Sequence, residues 1–118
     1  VGKPLANTTY MILVIIRMKV LAGKRKELSQ TIKLLIGSVR EEKGCGRCDF
    51  YRSMDDENEL CLFEEWDSQE SLKNHLKSEQ FKVLRGAISL LQGPYEMVLH
   101  TVVAAGERKT EERSQPAG

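Results

Sequence analysis

The amino-acid sequence predicts an α+β domain in which a four-stranded antiparallel sheet carries helices on one face. Three observations support this prediction. Four segments are rich in β-branched and apolar residues, a composition that favours strands. After the first of these segments, and again after the third, apolar residues recur at helical spacing. The resulting order, β-α-β-β-α-β, is the ferredoxin-like arrangement.

The first half of the chain contains a strand and a long amphipathic helix. The segment Thr9–Val20 is apolar on both sides over most of its length, which predicts a central strand. A turn at residues 22–24 follows. From Lys24 one apolar stripe runs to the region before Gly44, a residue type that suits a helix C-terminus. The stripe predicts a helix packed on the sheet and consists of Leu28, Ile32, Leu35, Ile36 and Val39.

The second half completes the fold with a hairpin, a capped helix and a last strand. Asp67 is positioned to cap the second helix, and Glu70 would complete a capping box. In the third strand alternation places Leu60, Leu62, Glu64 and Trp66 on one face. A polar loop at 55–58 closes the hairpin. The predicted strands, the second helix and a further short helix cover Arg47–Met54, Glu59–Trp66, Asp67–Lys77, Glu79–Leu91 and Tyr95–Ala104.

Length and composition indicate one domain with short polar ends. Residues 1–8 lack apolar periodicity and are predicted to be disordered or vector-derived, the domain spans 9–105, and 106–118 form a polar tail. The net charge of +1 gives no reason to expect nucleic acid or an anionic membrane as partner. Met11–Ile16 is the longest apolar run, too short to span a membrane. We therefore expect a cytoplasmic protein.

The strands predict a homodimer. They are apolar on both faces, whereas helices on one side of the sheet cover only one of them. A second copy of the chain is the simplest cover for the other face.

A dense motif lies between Glu65 and Phe81 and resembles the signature of the antibiotic biosynthesis monooxygenase domain family. The resemblance implies a dimeric α/β barrel, with one sheet packed against the other. It also implies relatives that oxidise quinols or anthrones without a cofactor, and a relationship to small haem-degrading monooxygenases. The motif consists of Glu65, Trp66, Ser68, Glu70, Leu72, His75, Leu76, Ser78 and Phe81.

The candidate catalytic residues are His75, Trp66 and Tyr51. The resemblance places the tryptophan of the motif in the active site, where Trp66 would stack on a flat aromatic substrate. His75 is a candidate general base near neutral pH, and Tyr51 is a candidate for steering a proton. The alternative is that Trp66 and His75 are packing residues of the core. His100 is a weaker candidate.

The candidate substrate-binding residues are Trp66, Arg17, Arg85 and Tyr95. Arg17 needs a partner if it points into apolar surroundings, and Glu64 or Glu65 is the expected one. The alternative is a solvent-exposed ion pair at the end of the strand.

No cofactor or metal is expected. Arg85 stands where the haem-degrading relatives carry a histidine iron ligand, so haem degradation is disfavoured. Relatives with demonstrated chemistry use an asparagine on the first or third strand, where this chain has Ile16 and Leu62.

Cys45 and Cys48 form a C-x-x-C motif with three interpretations. It is a redox dithiol, part of a zinc site with Cys61 as a third ligand, or a pair of reduced turn cysteines. The last interpretation is favoured because the motif follows a helix C-terminus, where the helix dipole does not stabilise a thiolate.

Two functions remain open from the sequence. The first is a cofactor-independent monooxygenase that acts on an electron-rich aromatic substrate. The alternative is a non-catalytic small-molecule-binding or stress-associated protein of the same fold. A cavity lined by Trp66 and polar groups would favour the first, and one filled by Ile16, Leu62 and methionine side chains the second.

Overall fold

The structure is a computed structural model and describes residues 8–105. Residues 1–7 of the predicted N-terminal segment and the predicted tail 106–118 lie outside this range. The element order confirms the ferredoxin-like α+β fold. The elements are β1 (Thr8–Lys19), α1 (Arg25–Arg40), β2 (Cys45–Arg52), β3 (Glu59–Trp66), α2 (Gln69–Leu76), α3 (Glu79–Gly86), a 3₁₀ helix (Ala87–Leu90) and β4 (Glu96–Ala105).

The four strands form one antiparallel sheet with the order β2-β3-β1-β4. The central strand β1 pairs Ile12 with Trp66 of β3 and with Thr101 of β4. The end of β3 therefore lies beside the beginning of β1. No helix in the described part of the chain has the length and apolar character needed to cross a membrane.

The two faces of the sheet differ in burial. We call the face beneath the helices the inner face and the opposite one the outer face. On β1 the inner side chains of Ile12, Val14, Ile16 and Met18 are buried, together with Leu28, Ile32, Leu72 and Phe81 from the helices. The outer apolar side chains are only half-buried within the described chain. They include Met11, Leu13, Ile15, Phe63, Val98 and Val102.

The prediction of turn cysteines is wrong, because β2 begins at Cys45 rather than Arg47. A bulge between Cys45 and Arg47 lets the strand continue one residue out of register. Burial raises the pKa of the Cys45 thiol, and it raises that of Cys48 to about 12. A reactive dithiol needs a low pKa, so the redox interpretation is disfavoured. Among the described residues, no group of three or more His, Cys, Asp or Glu side chains is arranged so that it could hold a metal ion.

The helices differ from the prediction at several of their ends. The expectation that Gly44 ends α1 is wrong, because α1 ends at Arg40 with Glu41 as its C-cap. Ser68, not Asp67, caps α2, and its Oγ accepts a hydrogen bond from the Ser71 N–H at 3.1 Å. Asp67 instead holds the turn before β2, because its backbone N–H donates to the Gly44 carbonyl at 2.9 Å. The predicted helix over 79–91 divides at Gly86 into α3 and the 3₁₀ helix.

Candidate functional site

A buried polar cluster lies where α2 crosses the end of β3. Glu64 is 1% exposed and His75 2% exposed. The alternation of β3 turns Glu64 inward beside Trp66, and α2 presents His75 one turn after the buried Leu72. We call Glu42, Glu64, Trp66 and His75 the His75 cluster.

The imidazole of His75 lies between two carboxylates. Its Nδ1 is 3.0 Å from Oε1 of Glu42, which follows α1, and its Nε2 is 3.4 Å from Oε1 of Glu64 on β3. The same Glu64 oxygen accepts a hydrogen bond from Trp66 Nε1 at 2.9 Å. The cluster therefore joins the α1–β2 connection, β3 and α2 through side chains.

Aromatic rings enclose the imidazole. The His75 ring stacks on Trp66 with the centroids 4.5 Å apart and the planes at 27°. The ring of Phe81 contacts it edge-on with the centroids 5.6 Å apart. One face of Trp66 is therefore occupied by the chain's own His75 and is not free for stacking on a ligand.

The two carboxylates control the charge of His75. Burial by itself lowers the pKa of the imidazole, but the hydrogen bonding and charge of Glu64 and Glu42 outweigh it, so the pKa is raised. The two carboxylates therefore shift the equilibrium of His75 toward the imidazolium form, in which Nδ1–H donates to Glu42.

Two polar atoms of the cluster, Glu64 Oε2 and His75 Nε2, make no hydrogen bond among the described residues. One of them, His75 Nε2, nevertheless keeps its 3.4 Å ionic contact with Glu64 Oε1. Both side chains border a cavity of about 10 Å³ whose wall includes Phe81 and Leu84. We call it the His75 cavity. Its volume is near the ~10–15 Å³ that one water requires.

Arg85 and Tyr95 meet at a second cavity on the other side of Phe81. This apolar crevice also has a volume of about 10 Å³ and shares Phe81 and Leu84 with the His75 cavity. The Arg85 guanidinium lies 5.7 Å from the centroid of the Phe81 ring. We call this space the Arg85 crevice. The structure thus places Trp66, His75, Arg85 and Tyr95 on one side of the sheet.

Tyr51 and Arg17 lie on the outer face, away from the other candidates. The Tyr51 hydroxyl accepts a hydrogen bond from Arg47 at 3.1 Å, and its ring contacts Phe63 edge-on. Arg17 is exposed and stands opposite Cys61 and Glu96 in the sheet.

The expectation that Glu64 or Glu65 would pair with Arg17 is wrong. Glu64 points to the inner face, and the carboxylate of Glu65 lies 3.9 Å from Arg47. An exposed ion pair near the end of β1 does form, but it joins Lys19 to Asp56 at 3.1 Å and does not involve Arg17.

An open cleft of about 320 Å³ lies beyond the far end of β3, between residues 10–11 and residues 44–46. Trp66 contributes to its lining but is 0% exposed. Its ring is therefore not available there as a stacking surface.

Sequence reasoning missed the roles of Glu64 and Glu42. A signal existed for Glu64, since it is a carboxylate on the strand face that also carries Leu60, Leu62 and Trp66. No comparable signal existed for Glu42. It lies 33 residues before His75 in a polar connection, and only the fold brings the two together.

Comparison with known proteins agrees with this architecture. Residues 11–87 match the family model described as "Antibiotic biosynthesis monooxygenase". The Rv0793 structure from Mycobacterium tuberculosis is 30% identical with a TM-score of 0.72, and the match covers 76% of this chain and 92% of that one. A conserved protein from Methanosarcina mazei Go1 is 27% identical with a TM-score of 0.74, covering 78% and 92%. No curated protein matches the chain. Because the family model covers well over half of the sequence, the chain belongs to the antibiotic biosynthesis monooxygenase family.

Proposed function

We propose that this protein is a cofactor-independent monooxygenase that oxidises an electron-rich aromatic substrate of the quinol or anthrone type. The observation that carries the proposal is the buried Glu64–His75 pair. Both side chains line a mostly apolar cavity between sheet and helices, and two of their polar atoms have no hydrogen-bond partner among the described residues. Family membership supports the reaction class. An acid–base group with a perturbed pKa beside an apolar pocket, as His75 is here, is a usual mark of a reaction site.

The reaction needs no bound cofactor because the substrate itself reduces dioxygen. Removal of a proton, from the CH₂ carbon of an anthrone or from a hydroxyl of a quinol, leaves a delocalised anion, and one of its carbons combines with O₂ and a proton to give a hydroperoxide. The O–O bond then breaks as the second proton leaves the same carbon. One oxygen stays as the new carbonyl, the other departs as water, and the substrate supplies every electron.

The chain offers a group for each proton transfer. Glu64 Oε2 is a free carboxylate oxygen that can accept the first proton from the substrate, while Trp66 holds the other oxygen of Glu64 in place. The His75 imidazolium can donate a proton to the departing oxygen. Arg85 and Tyr95 are assigned to substrate binding at the crevice. Tyr51 and Arg17 are not assigned, because they lie across the sheet.

The alternative is a non-catalytic binding protein of the same fold. One observation favours it: each of the two inner cavities has space for about one water, and Ile16, Leu62 and Met18 occupy their walls. Haem degradation is not proposed, because Arg85 stands where the haem-degrading relatives carry their histidine iron ligand.

Oxygen consumption with a panel of quinols and anthrones tests the proposal. We expect uptake above the spontaneous rate, with one atom of labelled O₂ in the product and one in water. The Glu64→Gln variant keeps the shape of the side chain but loses the base, so we expect a loss of at least about 100-fold. The exposed Glu70→Gln variant is the matched control and should keep the wild-type rate. A folded protein that gives no uptake above the spontaneous rate would support the binding alternative.

We also propose that two copies pair through their outer faces in a cytoplasmic homodimer. An unpaired charge at such an interface is costly. The Ile15→Lys variant should therefore raise the dimer dissociation constant by about 100-fold or more, as measured by analytical ultracentrifugation. Leu34→Lys is the control, because Leu34 is 81% exposed on α1. Equal masses for wild type and Ile15→Lys would refute this interface.

A further inference from the structure

Phe81 separates the acid–base pair from the crevice that leads to the surface. Its side chain borders the His75 cavity and the Arg85 crevice, and so does that of Leu84. On one side the Phe81 ring contacts the His75 ring, and the Arg85 guanidinium also lies against it. The ring is 7% exposed. Phe81 thus stands between the two buried polar atoms and the exposed Arg85.

Neither space admits an aromatic molecule while Phe81 holds this position. Each has a volume of about 10 Å³. An apolar cavity that binds benzene has about 150 Å³. The two spaces must therefore merge before a ring can approach Glu64 Oε2 and His75 Nε2, and the side chain that divides them is itself an aromatic ring of suitable size.

We propose that Phe81 determines which substrates reach the site: an aromatic anion binds by displacing the Phe81 ring. The ring of the ligand then occupies the place of Phe81 against His75. Its phenolate or carboxylate remains near Arg85, which ion-pairs with it at the mouth of the crevice. This proposal rests on the proposed function for its choice of site, but it concerns binding, which can be measured without turnover.

The position of Phe81 on α3 is compatible with displacement. Ser78 caps the helix and accepts a hydrogen bond from the Phe81 N–H at 3.1 Å, so the backbone at Phe81 is fixed. The helix is only eight residues long and passes at Gly86 into the 3₁₀ helix. The Phe81 ring can change its rotamer without disturbing the N-terminal cap of α3. The opposite walls of the two cavities are formed by β1 and β3 and are held in place by the sheet.

The chain contains a reporter for this event. Trp66 is its single tryptophan and stacks on His75. Binding of an aromatic anion next to His75 is therefore expected to change the Trp66 emission. We choose 1-naphthoate as the probe and its neutral analogue 1-naphthalenemethanol as the uncharged comparison.

The decisive experiment compares the affinity of wild type, Phe81→Ala and Phe81→Leu for both probes. Truncation removes the cost of displacement, so we expect naphthoate to bind at least about tenfold more tightly to Phe81→Ala. The Phe81→Leu substitution is milder and disturbs folding less. The naphthoate affinity of this variant should lie between those of wild type and Phe81→Ala. Leu72→Ala is the matched control, since Leu72 is a buried side chain of α2 that borders neither cavity. It should keep the wild-type affinity.

Combining Phe81→Ala with Arg85→Gln tests the charge. The double variant should lose the increase in affinity for naphthoate that Phe81→Ala gives, and should keep the increase in affinity for the neutral analogue. Folded Phe81 variants with wild-type affinity would overturn the role of Phe81, and equal losses for both probes would overturn that of Arg85. Tighter naphthoate binding by the Phe81 variants, together with no oxygen uptake by wild type on the quinol and anthrone panel, would support this inference and contradict the monooxygenase proposal, so the two can fail separately.

Discussion

Replacing His75 with alanine is expected to lower the free energy of unfolding by about 3–5 kcal/mol, as is typical when one partner of a buried ion pair is removed. The imidazole is 2% exposed and lies between Glu42 and Glu64. Its removal leaves the Glu64 carboxylate buried, with the hydrogen bond from Trp66 as its remaining hydrogen bond among the described residues. Urea titration followed by circular dichroism measures the loss.

Control variants separate the cluster from its helix. Asn74 neighbours His75 on α2 and is exposed, so Asn74→Ala should change the stability by no more than about 0.5 kcal/mol. The cycle of Glu64→Gln, His75→Gln and the double variant should give a coupling of roughly 0.5–3 kcal/mol. Additive effects would mean that the imidazole and the Glu64 carboxylate do not interact.

The same ion pair makes the stability depend on pH. The pKa of His75 is raised in the folded state by Glu64 and Glu42, against the effect of burial, above its ordinary value of about 6.5. The contribution of protonated His75 to the free energy of unfolding is therefore complete below about pH 6.5 and is lost as the pH rises through the folded-state pKa of His75. We expect wild-type stability to fall over that interval and His75→Gln to remove the fall. The exposed His100→Gln variant should keep it.

Substituting Gly44 with alanine is expected to destabilise the fold by about 3 kcal/mol, from backbone strain and overlap combined. Gly44 has φ of +87°, in the left-handed region that a side chain disfavours. A Cβ there would overlap the Ser71 hydroxyl and approach Asp67 Oδ1 to 2.5 Å. The turn is tied to the end of β3 by the hydrogen bond from Asp67 N–H to the Gly44 carbonyl, so it has little freedom to move away.

Gly23 provides the matched control for this prediction. It has φ of +90°, but a Cβ there would meet nothing within 4 Å. Gly23→Ala should therefore cost only the backbone strain, about 1 kcal/mol. The difference between the two variants in the free energy of unfolding, measured by urea titration, gives the cost of placing a Cβ at residue 44 against α2. Equal losses at both glycines would show that packing of the turn against α2 contributes nothing.

Local sequence patterns were sufficient for the elements but not for their ends. The strand Glu59–Trp66 was predicted with its observed bounds, because its period-two alternation ends where Asp67 begins a polar segment. The start of β2 was missed by two residues, since a bulge at Gly46 continues the pairing through a segment that reads as a turn. The cap at Ser68 was missed by one residue, because the pairing of the Gly44 turn with Asp67 was not visible locally.

The sequence by itself determined the antiparallel α+β fold, the alternation that puts Glu64 beside Trp66, and the helical spacing that buries His75. These follow from periodicity, which acts between neighbours along the chain. Only the tertiary structure decided that Glu42 meets His75, that Tyr51 and Arg17 lie across the sheet from it, and that Phe81 divides the two cavities. Which side chains meet across elements depends on strand order and on the packing of helices over one face. Both arise from contacts between residues far apart in the chain, and no local pattern records them.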